Sequence, residues 1–311
     1  MSTCRNHEFK SDRYAPPHSG PASSNRIPFG IKDGRLLHVD NVERGLGCDC
    51  VCPCCEAPLI ARHGEKKIHH FAHANGANCE GAYETSLHLA AKEVLEEELQ
   101  IVLPAVTAKL ENGRAPIEFS PAKNHSIDSI ALEKKLGATI PDVIATIAGN
   151  KLAIEIVVTH GVDEEKLSLI KREGVSTLAI DLSDLPRNLD KDSIRFYVVE
   201  SVERKTWLYN AYGVARLAWL LKSGSHMPVE FHNMAMLVND CPIPARVWHG
   251  KPYADVLDNC IYCEFNLHVG DDFIICNGAK KAKRGSSPVV PLKNSYGLDR
   301  CPRRPGDNYR F

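Results

Sequence analysis

The chain has no long apolar run. Its longest, near Val214 to Leu221, is broken by Arg216 and is far too short to cross a bilayer, which argues against a helical membrane span. It also has no apolar segment near its start. Met1 to Asn25 is polar, so no secretory leader is expected and the chain is expected to be cytoplasmic. It has almost no net charge, −1 at neutral pH. That rules out a global basic signature for nucleic acid, so any such contact has to come from a local patch. Cysteine, by contrast, is abundant: there are twelve. In a chain expected to stay in a reducing compartment, they point to metal binding more than to disulfides. A length of 311 residues, 43% hydrophobic and 25% charged, is enough for a sizeable core and suggests two domains or one core with appendages.

Residues 1–25 show no periodicity and are expected to form a flexible tail, which includes Cys4 and His7. Residues 26–47 read as a small hairpin, Ile27 to Ile31 and Leu36 to Val42 around Asp33-Gly34. Then comes a dense group of ligand-type residues: Cys48, Cys50, Cys52, Cys54 and Cys55, followed by His69, His70, His73 and Cys79. From Cys52 the spacing is C-x2-C, fourteen residues, then H-x2-H. Such knuckles suit tetrahedral zinc. The second pair is tighter than a zinc finger's, so the choice of ligands stays open. The expected set is Cys52, Cys55, His70 and His73, with Cys79 as the substitute for one histidine. Cys48, Cys50 and Cys54 are spare. A segment with so few large apolar residues needs a staple to fold, so this zinc is expected to be structural.

From residue 84 to 101 apolar residues recur at helical spacing: Leu87, Ala91, Val94, Leu95 and Leu99. Glu84, His88 and Lys92 are four apart and share one face, which is either a solvated stripe or a face that overlooks a site. Residues 102–122 hold three prolines and read as a loop or short edge strands. Ser126 to Leu132 reads as a strand, and two more, from Ile140 to Ile147 and from Lys151 to His160, follow around Ala148-Gly149-Asn150. Asp163, Glu164 and Glu165 open a helix that Gly174 ends, and Val175 to Leu182 is a further strand. Helix, three strands, helix, strand predicts a mixed α/β sheet with flanking helices. Asp142 opens one strand and Glu155 sits inside the next, between Ile154 and Ile156. A carboxylate there is costly unless it is paired or binds a metal. Two on adjacent strands can share a hard cation such as magnesium or manganese, which activates water and steadies a phosphate. Phe196 to Val199 reads as another strand, and Val214 to Leu221 as a short strand or helix.

The last third has its own cysteines: Cys241, Cys260, Cys263, Cys276 and Cys301. Cys260 and Cys263 form a second C-x2-C knuckle, and with Cys276 and Cys301 they suit a zinc ribbon, with an iron–sulfur cluster as the runner-up. After Gly278 the chain turns basic, with Lys280, Lys281, Lys283, Arg284, Lys293, Arg300, Arg303, Arg304 and Arg310, and with Tyr296, Tyr309 and Phe311 interspersed. Such a stretch is either a solvated tail or a contact for DNA phosphates and bases.

Pro141-Asp142, a hairpin and Glu155 in an apolar strand resemble the core of PD-(D/E)xK nucleases. Cys52-Pro53-x-Cys55, Gly64, His70-Phe71-Ala72-His73, Cys79 and the helix from Glu84 to Lys92 resemble competence protein CoiA-like proteins, in which a zinc-knuckle module precedes such a core. The matching segments span roughly residues 27–182. The resemblance implies a restriction-endonuclease-like fold, in which Asp142 and Glu155 hold a catalytic metal and Glu84 is a third acid. Family members usually carry a lysine two residues after the glutamate, where this chain has Val157. Lys166 and Lys92 are the candidates to replace it, and His160 is placed to orient water or phosphate. The resemblance further implies a DNA nuclease that acts on incoming or foreign DNA. The expected layout is a tail (1–25), a zinc module (26–82), a nuclease-like core (83–222) and a Cys-rich basic module (223–311). The competing readings are a DNA-binding scaffold with a decayed core and a zinc-stapled protein-interaction module. Oligomeric state is left open.

Overall fold

A computed structural model describes residues 26–76, 79–110, 116–159, 161–186, 189–233 and 235–281. The expected tail with Cys4 and His7, His160, Cys301 and the basic stretch beyond Lys281 lie outside the described residues. The chain forms two compact units. Among their described residues, the larger spans 26–105 and 121–211, and the smaller spans 106–120 and 212–281. The architecture is mixed α/β. No helix among the described residues is long and apolar enough to cross a membrane.

In the larger unit, helix α1 (Ala82–Glu98) precedes strands β1 (Ser129–Leu132), β2 (Val143–Ile147) and β3 (Asn150–Val157). Helix α2 (Glu164–Glu173) then leads to β4 (Thr177–Asp181), and β5 (Lys205–Tyr209) closes the sheet in the order β5-β4-β3-β2-β1. β1, β2 and β3 form an antiparallel meander, β3 and β4 are parallel, and β4 and β5 are antiparallel. The parallel pair requires a crossover, which α2 supplies. The caps of α2 follow from its ends. The Asp163 carboxylate accepts from the Lys166 amide, and Gly174 takes the left-handed conformation at φ 69°. α1 buries Leu87, Ala90, Ala91, Val94 and Leu95 on one face. It stops at Glu98 rather than at residue 101, because Gln100–Leu103 pairs with Lys123–Ser126 as a strand of its own.

Other differences from the sequence reading have local causes. The strand expected from Ser126 to Leu132 breaks at Ile127-Asp128, and its two halves pair with different partners. Phe196–Glu200 is a turn of π-helix, not a strand, and continues directly from the short helix Lys191–Arg195. The strand of that region is β5. The Val214 to Leu221 run lies inside a helix, Ala211–Ser223. The turn between β2 and β3 sits on Ala148 and Gly149, both at positive φ, rather than on Gly149-Asn150.

The larger unit also holds the cysteine-rich module. Hairpins Phe29–Lys32 with Arg35–His38 and Leu59–Gly64 with Lys67–His73 surround a small core of Ile27, Val39, Leu59, Phe71 and Ala82. Gly30 packs closely there, since a Cβ would meet Leu59 and Cys50 at 3.1 Å and force them to shift. The smaller unit holds a four-stranded sheet (230–232, 235–239, 251–255, 246–248) and a three-stranded sheet (225–228, 273–276, 266–269); Cys276 ends a strand, and Cys241, Cys260 and Cys263 lie in connections between strands.

Candidate active site and metal centres

Register sets the carboxylate pair. Val143 lies opposite Ile154, so Asp142, one residue earlier, falls opposite Glu155, and opposed residues of an antiparallel pair share a face. Asp142 accepts from the Ile156 amide at 2.8 Å. His88 Nδ1 lies 3.3 Å and Lys92 Nζ 3.4 Å from its other oxygen. Burial pushes the Asp142 carboxyl up, but His88, the Ile156 amide and Lys92 together outweigh it and hold the group at about 2. The stripe on α1 therefore faces this site, with Glu84 at its more exposed end. Glu84 lies 3.9 Å from His88 Nε2 and accepts from Thr159. Lys92, only 5% exposed, also reaches Glu133 at 2.8 Å.

Glu155 is 4% exposed in the centre of the sheet. Burial pushes its carboxyl up, Lys166 pulls it back, and the net shift is upward. Lys166 Nζ donates to Glu155 Oε2 at 2.7 Å. It does so from the first turn of α2, whose position the Asp163 cap fixes. Val157 stays in the apolar interior at 3% exposure, so the ammonium beside Glu155 comes from the helix. Glu155 Oε1 and His88 Nε2 are buried without a hydrogen-bond partner. Sequence reasoning placed His88 on the stripe but gave it no role. Its signal was the spacing that puts it between Glu84 and Lys92.

Sequence reasoning gave no role at all to Lys205, a buried ammonium that donates to the carbonyls of Val102 and Val199 at 2.9 and 3.0 Å. Burial lowers its pKa to about 7. A lone lysine at a strand start gives no warning of this.

The cysteine module brings Cys52, Cys55, His73 and Cys79 together, with all four ligand atoms within 4.8 Å of one another. The Cys52 amide donates to the Ala57 carbonyl and the Glu56 amide to the Cys52 carbonyl, which forms the knuckle. Cys55 Sγ and His73 Nε2 are 3.3 Å apart. Burial and the neighbouring thiols push Cys79 up to about 12, so ion binding there has to displace protons. Three sulfurs and one imidazole suit zinc. His70 is not part of this group. Its Nδ1 lies 2.8 Å from the Ile68 carbonyl. Residues 70 and 73 are three apart on one strand, so their side chains leave opposite faces. Cys79 takes the place expected for His70. Cys48 and Cys50 are buried thiols that donate to the carbonyls of Leu59 and Cys48, and Cys54 is exposed. Asp40, His63 and His69 form a second close group, less buried than the first. A wide cleft of about 670 Å³ on the same module is lined by Arg26, Arg44, Arg62, Lys67 and His70, with no carboxylate among its lining residues.

In the smaller unit Cys260 and Cys276 are buried, Cys263 is half-buried, and all three line one cavity. Their expected partner Cys301 lies outside the described residues.

No curated protein and no solved structure matches the chain. Residues 43–82 match the family model of the competence protein CoiA N-terminal domain. These residues contain all four members of the Cys3His group, so the likeness to that domain is carried by the cysteine module.

Proposed function

We propose that the chain is a metal-dependent deoxyribonuclease with a PD-(D/E)xK-type core, acting on incoming or foreign DNA in a competence-related role. The observation that carries this reading is the pairing of Asp142 and Glu155 across adjacent strands, with the Lys166 ammonium 2.7 Å from Glu155. The site fits a hard cation, because Glu155 Oε1 is a buried carboxylate oxygen with no partner. Asp142 and Glu155 would hold magnesium or manganese, with Glu84 as a third acid. Such an ion would supply an activated water and a polarised phosphate. Lys166 Nζ, one third exposed, supplies positive charge for the phosphate oxygens. His88 and Lys92 keep Asp142 ionised and oriented. The carboxylate-free cationic cleft supports contact with a phosphate backbone.

The test is cleavage of labelled single-stranded and duplex DNA with magnesium or manganese, comparing the wild type with Asp142→Ala and Glu155→Ala at equal zinc content. Cleavage that both substitutions abolish is the expected result. One observation favours a second reading, a DNA-binding scaffold that does not cut: each acid is already engaged by a cation of the chain itself. Salt-dependent DNA binding without cleavage by well-folded wild type would decide for that reading.

A further inference from the structure

Four cysteines of the smaller unit surround one small cavity of about 40 Å³: Cys241, Cys260, Cys263 and Cys276. All four are free thiols. Three chain segments bring them there: the turn after strand 235–239, the short helical turn Cys260–Tyr262 and the end of strand 273–276. One of the sulfurs accepts an amide hydrogen bond from two residues further on: Gly278 donates to Cys276 Sγ at 3.3 Å. An amide aimed at sulfur favours the thiolate, the form that ligates metal. Cys241 Sγ donates to the Ile243 carbonyl at 2.8 Å. A metal would take the place of that proton.

We propose that Cys241, Cys260, Cys263 and Cys276 form a tetrathiolate site for one soft divalent cation, zinc by its chemistry, with Cys241 as the fourth ligand in place of Cys301. Four thiolates from three chain segments around one cavity match the ligand number of a structural zinc site. Among the described residues these sulfurs are not as close together as the Cys3His group. Tetrahedral zinc at ~2.3 Å from each sulfur would draw them to about 3.8 Å apart. The inference stands apart from the nuclease reading, because it concerns the smaller unit alone.

The experiment measures zinc per full-length chain, purified under reducing conditions, by atomic emission. The wild type is expected to hold two ions, Cys241→Ser and Cys260→Ser one each, and Cys301→Ser two. Cys241→His, which keeps a ligand, is expected to restore the second ion. To separate ligand loss from misfolding, iodoacetamide labelling of wild type is read by peptide mass spectrometry before and after chelation. The four thiols are expected to be protected only before. Loss of an ion in Cys301→Ser with none lost in Cys241→Ser would overturn the assignment. Bound iron with absorbance near 400 nm would overturn it too, as would equal labelling with and without chelator.

Discussion

The Cys3His group and the carboxylate pair lie in one unit but are held in place differently. The first gathers soft ligands from a turn, a strand end and the residues before α1, and the core around it is small. The second takes hard oxygens from two hydrogen-bonded strands, opposed by register, and each carboxylate has a cation of the chain beside it. An ion bound there would therefore be the main support of the first geometry. The second stands on the sheet and would survive without an ion.

The sharpest way to break that contrast is to remove the zinc ligands. Structural zinc in small modules is worth ~10–16 kcal/mol, as much as the whole stability of a typical domain. Cys52→Ser or His73→Ala should abolish zinc binding at the Cys3His group and unfold residues 43–82. Hydrogen exchange would show this as lost protection there, extending into the start of α1, since Ala82 belongs to the same core. His70→Ala should leave zinc content unchanged. Zinc loss in His70→Ala would mean that the strand does not separate residues 70 and 73.

The carboxylate pair should respond in the opposite sense. Glu155→Gln removes a buried charge, so the unfolding midpoint should rise while cleavage falls ~10²–10³-fold, the scale of losing one charge-stabilising group. Lys166→Met should cost cleavage on a similar scale and also destabilise the fold, because it strips the cation from Glu155, the more buried of the two carboxylates. Lys92→Met should destabilise the fold by roughly 2 kcal/mol, since it strips a buried partner from Asp142, but should spare more of the cleavage, because Asp142 keeps His88 and the Ile156 amide. Equal losses of cleavage in both lysine variants would erase the distinction between the two lysines.

Much of this was legible in the sequence, for reasons that differ by element. The meander, crossover helix and fourth strand were readable because Val, Ile and Thr runs and the Asp163 and Gly174 caps are local signals. The pairing of Asp142 with Glu155 followed from the hairpin. The lysine could be narrowed only to Lys166 or Lys92, because which helix residue reaches Glu155 depends on the crossover packing. His70 was misplaced because a C-x2-C…H-x2-H spacing says nothing of strand faces. β5 was missed because Lys205 to Tyr209 pairs only through tertiary context, and the buried Lys205 ammonium reads in sequence as an ordinary surface charge.

Acid should separate the two carboxylates. Asp142 is depressed from 3.8 to about 2, which corresponds to roughly 2.5 kcal/mol at ~1.36 per unit. The unfolded state takes up the proton first, so this contribution is full above about pH 4 and is lost as pH falls towards 2. Glu155 is shifted upward, so its burial costs stability as pH rises past the ordinary glutamate value. Lys205 is lowered to about 7; there the unfolded state holds the proton longer, so stability should climb as pH rises from 7 towards the usual lysine range. Urea midpoints measured across pH for wild type, Asp142→Asn and Lys205→Met should show the acid arm vanish in the first variant and the alkaline rise vanish in the second.

The smallest expected effect tests what holds the carboxylates opposed. The β2–β3 turn places Ala148 at φ 48° and Gly149 at φ 78°, the two-residue geometry that favours Asn-Gly. An alanine in the left-handed region costs roughly 1 kcal/mol, which asparagine largely avoids. Ala148→Asn should therefore raise stability by ~0.5–1 kcal/mol and leave cleavage unchanged, because it deepens the register already present. A slip of one residue would instead turn Glu155 to the other face of the sheet, away from Asp142 and Lys166. If Ala148→Asn stabilises the chain yet lowers cleavage, the active register is not the one that sets Val143 against Ile154, and the carboxylate pair is not the site.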